Sequence, residues 1–104
     1  MITGKQRAYL RGLAQRIEPI FQIGKDGISE TVVCAIDEAL EKRELIKISI
    51  LETAFLETRE TCDMIAQKLG AEAVQSIGNR FVLYRQSRNE KNRKIEIPYS
   101  NKKR

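Results

Sequence analysis

Histidine and tryptophan are absent from this 104-residue chain, and it holds only two cysteines, two prolines, six glycines and 6% aromatic residues. Without histidine there is no ordinary neutral-pH general base, no Ser-His-Asp or Cys-His nucleophile system and no imidazole metal ligand, so most hydrolase chemistry is disfavoured. Cys34 and Cys62 lie far apart in stretches that read as helices. That spacing offers neither CxxC redox chemistry nor a four-ligand zinc site, and both thiols are read as small core residues. No metal or cofactor is expected. No apolar run approaches the roughly 18 residues of a membrane-spanning helix, and the N-terminus lacks the apolar stretch of a secretory signal. A soluble, cytoplasmic chain with no membrane partner is the expectation. Few prolines and glycines, with 41% hydrophobic and 32% charged residues, exclude collagen-like and wholly disordered classes. The length suits one domain, because two half-length cores would each bury too little surface.

The charge is uneven. Residues 1–25 carry five basic side chains and one acidic, residues 26–79 five and eleven, and residues 80–104 nine and two. Basic ends suit a polyanion, because each Lys or Arg that neutralises a phosphate releases counterions. Basic ends also keep a protein soluble, and charge alone leaves both readings open.

Thr3 with Gln6 three residues on is a capping-box signature, and Tyr9, Leu10, Leu13, Ala14 and Ile17 form one helical stripe that Pro19 should terminate. Lys5 and Arg16 border that stripe on one side, Arg7 and Arg11 on the other. PIFQI at residues 19–23 reads as a short strand broken by GKDG, and Ser29 caps a helix over about 30–43. Its Val32, Val33, Ile36, Ala39 and Leu40 face inward, while Asp37, Glu38 and Glu41 face away. Ile46, Ile48 and Ile50 alternate with Lys47 and Ser49 in a half-buried strand from Leu45 to about Thr53. A third helix spans about 56–69, with Gly70 at its left-handed C-cap. Strands over 71–77 and 80–86 flank Gly78–Asn79, where glycine first suits a type II′ hairpin. SRNEKNRK at residues 87–94 has nothing to bury and reads as mobile, and KIEIP at 94–98 as an edge strand or docked segment. The order α-β-α-β-α-β-β predicts an α/β fold with a mixed four-stranded sheet and three helices.

The GKDG segment, Gly24, Lys25, Asp26 and Gly27, follows a strand and precedes a helix, where backbone N–H groups converge on anions. It is neither a P-loop nor a GxGxxG fingerprint, and any tight βα turn can hold two glycines three apart. Lys25 favours phosphate and Asp26 opposes it, unless Asp26 bonds the loop's own backbone. If the first helix packs beside this loop, Lys5, Arg7, Arg11, Lys25, Arg80 and Arg85 converge on one phosphate-gripping surface. Otherwise Arg80 and Arg85 are ordinary outward strand residues.

TGKQRAYLRGLA (Thr3–Ala14), PIFQIGKDGIS (Pro19–Ser29), ALEKRELIKI (Ala39–Ile48) and SIGNRFVLYR (Ser76–Arg85) together resemble the CRM (chloroplast RNA splicing and ribosome maturation) domain in its stand-alone bacterial form. The likeness spans about residues 3–98, including RKIEIP, with four blocks in the right order and spacing. It implies one domain over residues 1–98 with a basic tail at 99–104, and a fold similar to the C-terminal domain of the third bacterial initiation factor. It further implies a monomeric, non-enzymatic RNA-binding assembly factor whose partners are ribosomal RNA and large-subunit precursors. Plant members are associated with group II intron splicing. The family's GxxG contact carries over to Gly24, Lys25, Asp26 and Gly27, and surface charge adds Lys5, Arg7, Arg11, Arg80 and Arg85. Few aromatics mean little provision for reading many bases, and Phe21 and Phe81 are read as core. Two rivals remain: a module docking a basic ribosomal protein through its acidic helices, and a nucleotide-directed enzyme, for which no defensible carboxylate pair is present.

Overall fold

The computed structural model describes residues 2–93 and 95. Helix α1 (Gly4–Ala14) is followed by β1 (Phe21–Ile23), α2 (Glu30–Arg43), β2 (Leu45–Ile50), α3 (Thr58–Leu69), β3 (Glu72–Ile77) and β4 (Arg80–Tyr84). The sheet order is β1-β2-β4-β3, with β1 parallel to β2 and the other neighbours antiparallel. The expected element order and mixed four-stranded sheet are therefore present.

Local chemistry sets the boundaries. Thr3 accepts from the Gln6 amide at 3.1 Å while the Gln6 side chain accepts from the Thr3 amide at 2.8 Å, so two orphan donors are satisfied reciprocally. Helix α1 stops at Ala14, well before Pro19, with Gln15 as its C-cap. Ser29 caps α2, and Glu57 rather than an earlier residue caps α3 through the Glu60 amide at 2.7 Å. Gly70 ends α3 at φ 66°, and Gly78 turns the β3–β4 hairpin at φ 60°. The adjoining Asn79 is not among the positive-φ residues, as a type II′ turn requires. Strand β2 ends at Ile50 because the chain tightens into a 3-10 turn at Glu52–Ala54.

Alternation divides the strands between two cores. Ile46, Ile48 and Ile50 join Phe81 and Leu83 with Ile36 and Leu40 of α2 and Cys62, Ile65 and Ala66 of α3. On the opposite face Leu45, Val74, Val82 and Tyr84 receive Leu10 and Ala14 of α1. The sheet is thus covered by α2 and α3 on one side and by α1 on part of the other. Each fully buried Leu, Ile or Phe contributes about 1.5–3 kcal/mol.

The cysteines separate. Cys62 is buried, and burial pushes its thiol up to about 11. Cys34 is exposed, contrary to the core expectation, because it lies two residues, roughly 200°, round the helix from inward Ile36. A thiol reagent at pH 8 should label one cysteine per native chain and two per denatured chain. Native labelling of both would contradict this packing.

The segment after β4 is pinned, where mobility was expected. Glu44 is fully buried, and its carboxylate accepts from the Ser87 amide at 2.7 Å and the Ile95 amide at 3.0 Å. Its own carbonyl accepts from the Arg85 amide at 2.9 Å. Glu41 accepts from the Arg88 amide and the Ser87 hydroxyl, and the Arg88 bond is the main reason its carboxyl titrates below the usual range. Ile95 then packs against the α1 core, so the segment straps one face of the sheet to the other. The rest of KIEIP, and residues 99–104, lie outside the described residues.

Candidate nucleic-acid interface

Strands β1 and β2 run in parallel and leave the sheet at the same end. Ile23 pairs with Ile50, and the Leu51 amide donates to the Ile23 carbonyl at 2.8 Å, so the loops at 24–29 and 51–57 start side by side. The β3–β4 turn reaches this end too. The Ile50 amide donates to the Asn79 carbonyl at 2.7 Å, and the Thr58 hydroxyl donates to the Gly78 carbonyl at 2.8 Å.

GKDG closes as a turn, with the Gly27 amide donating to the Gly24 carbonyl at 2.9 Å. Gly27 sits at φ 69° with open space around a would-be Cβ, so backbone conformation, not crowding, calls for glycine there. The two central side chains, Lys25 and Asp26, are exposed. Their amides donate to no acceptor among the described residues. No bond from the Asp26 carboxylate to the loop backbone is seen among them. The turn therefore leaves two N–H groups without a protein acceptor beside the exposed Lys25 side chain.

Helix α1 does not pack beside this turn. It lies across β2, β3 and β4, and the Arg7 Nε donates to the Ala73 carbonyl of β3 at 3.1 Å. Three strand spacings, roughly 14 Å, separate β3 from β1. What lies between is the part of the sheet that α1 leaves uncovered. Gln22, Ser49, Arg80 and Ile77 form one row across it, and Lys47 lies in the next, whose Val82 is already buried against Leu10 and Ala14 of α1. Arg80 is exposed and Lys47 half-buried on this strip. Lys47 was not singled out by sequence reasoning, although the inward Ile46, Ile48 and Ile50 already place it on the opposite face. Arg59 was also missed. On the first turn of α3, it lines with Arg7, Asp63, Gln75 and Ser76 a polar groove of about 490 Å³ along β3. Lys5 is exposed and Arg11 half-buried on α1.

Arg85 is a correction. It is only 8% exposed, and its guanidinium donates to Asp37 Oδ1 at 2.7 Å, the Leu69 carbonyl at 2.9 Å and the Asp37 carbonyl at 3.1 Å. Its charge is spent inside the fold, tying α2 to the end of α3. The same contacts weaken the acidic-docking reading: Asp37 and Glu41 hold the chain's own C-terminal segment, and of that trio only Glu38 is exposed without a contact among the described residues. Among the described residues no group of three or more acidic or cysteine side chains is placed to hold a metal ion.

Comparison with known proteins places this arrangement. The model of the CRS1/YhbY (CRM) domain matches residues 2–85. YqeI of Bacillus subtilis is 41% identical over 98 residues, covering 94% of this chain and all of that protein. A Haemophilus influenzae protein named for RNA binding is 36% identical, covering 93% of this chain and 95% of its own length. A Staphylococcus aureus protein solved in solution superposes with a TM-score of 0.77 at 47% identity, covering 94% of this chain and all of the other.

Proposed function

The chain belongs to the CRS1/YhbY (CRM) domain family, and from that premise we propose that it binds RNA through the GKDG turn and the uncovered strip of sheet. The observation that carries this reading is the exposed turn itself, whose Lys25 and Asp26 amides have no protein acceptor among the described residues. Two N–H groups and the Lys25 ammonium take one phosphate, while Asp26 points its charge to solvent. Lys47 and Arg80 extend the track across the sheet, and Arg7, Arg11, Lys5 and Arg59 continue it at the far edge. A surface of this kind reads backbone and shape, because hydrogen-bond donors aimed at phosphates carry no sequence information.

The RNA is ribosomal, within precursors of the large subunit, and the protein acts there as a monomeric, cytoplasmic assembly factor and not as a catalyst. The family resemblance in the four sequence blocks supports this finer assignment. No described helix is long and apolar enough to cross a membrane.

The test is a titration of a large-subunit RNA fragment with the Lys25→Ala/Arg7→Ala double variant across salt concentrations. Affinity is expected to fall about ten-fold or more at 0.1 M salt, and the slope of log K against log salt to flatten by about one to two. The single Lys25→Ala variant guards against any loss of the Arg7–Ala73 bond. Unchanged affinity and slope in folded variants would sink the assignment. Sedimentation of the tagged protein with incomplete large subunits, at low and moderate salt, tests the ribosomal part.

A further inference from the structure

We propose that Phe55 is the stacking platform for one unpaired base of the bound RNA, an inference that rests on the RNA-binding reading above. Phe55 is 93% exposed, at φ 53° and ψ 42°. A bulky side chain in the left-handed region is a true outlier, and glycine or asparagine would hold that turn more easily. Neither packing nor backbone preference accounts for a phenyl ring here, and such mismatches concentrate where a chain does its work.

The backbone around the ring is hydrogen-bonded and partly packed. The Ala54 amide donates to the Leu51 carbonyl at 3.0 Å and the Phe55 amide to the Glu52 carbonyl at 3.1 Å. Ala54 packs against the larger core, and Glu57 is fixed as the cap of α3. This 51–57 loop starts beside the GKDG turn, and a Cβ on Gly24 would lie 3.5 Å from Leu51 Cδ1. Leu51 and Leu56 of the same loop are also partly exposed. Phe21 and Phe81 are committed to the core and Tyr84 is buried, so Phe55 is the free phenyl at this end.

Charge selects the occupant. Glu52 and Glu57 flank Phe55 and repel phosphate, so with the RNA backbone on the turn amides and Lys25, the group reaching the ring is the uncharged base. Carboxylates also accept hydrogen bonds from base amino groups. A base stacked on one ring adds affinity without adding a phosphate contact.

Because the chain has no tryptophan, Phe55→Trp places a single indole at the platform. Its emission should be quenched by an RNA hairpin with an unpaired loop and unaffected by a fully paired duplex of equal length. Phe55→Asn should weaken hairpin binding about five-fold or more, leave the salt slope unchanged and melt at or above the wild-type temperature. Wild-type binding with an unaffected Phe55→Asn variant, or an indole silent at saturation, overturns the stacking proposal alone. An indole that responds to a basic ribosomal protein but not to RNA overturns it in favour of a protein contact. Failure of the wild-type chain to bind RNA removes both this inference and the reading beneath it.

Discussion

Replacement of Glu44 by alanine is expected to cost about 2–4 kcal/mol of stability, because the buried Ser87 amide and the part-buried Ile95 amide lose their acceptors at about 1–3 kcal/mol each. For a domain of this size that is a fall in Tm of about 10–25 °C. Glutamine keeps one acceptor oxygen and should cost roughly half as much. Glu38→Ala is the control: this exposed carboxylate on the same helix has no contact among the described residues, and its loss should move Tm little. Amide exchange at Ser87 and Ile95 should speed up in the Glu44→Ala protein. A variant with wild-type Tm and protection would mean that Glu44 does not hold the strap.

The largest expected effect on binding belongs to the triple reversal Lys25→Glu, Lys47→Glu and Arg80→Glu. Each phosphate contact contributes about 0.7–0.9 to the salt slope, hence nearly a decade of affinity between 1 M and 0.1 M salt. Three lost contacts imply a fall of about 100-fold or more at 0.1 M, with the slope reduced by about two to three. Lys25 and Arg80 are exposed and Lys47 is half-buried, so the fold should survive. Arg85→Gln provides the contrast. It breaks the partly buried pair with Asp37 and lowers Tm, yet should leave the salt slope alone. Unaltered affinity in the triple variant would remove the strip from the RNA surface. A slope change with Arg85→Gln would mean that this side chain reaches the ligand after all.

Features carried by near neighbours in the chain were legible without coordinates. The Thr3–Gln6 box, the Ser29 cap, the left-handed Gly70 and the Gly78 hairpin each depend on residues within a few positions, and each is present. Features set by distant contacts were not legible. Arg85 looks like any strand cation until Asp37, 48 positions away, is seen to receive it. Glu44 looks like a surface residue between a helix and a strand, and its positive φ of 67° has no local signature. The polar run that begins at residue 87 offers nothing apolar to bury because the partners of its Ser87 and Arg88 are the carboxylates of Glu41 and Glu44. Placement of α1 on the opposite face from α2 was equally unreadable, since an amphipathic stripe does not say which side of a sheet it covers. For that reason Lys47 and Arg80 share the face of the sheet that carries α1, and the GKDG turn and the first helix do not meet in one patch.

The family match ends at residue 85, yet the strap carries the cooperative unit further along the chain. A fragment trimmed to the matched length would strand the Glu44 carboxylate without its Ser87 and Ile95 donors and strip Ile95 from the seam above α1. The family model and the packing thus stop at different places, the matches to whole relatives run on past the model's end, and a minimal version of this protein has to keep the strap.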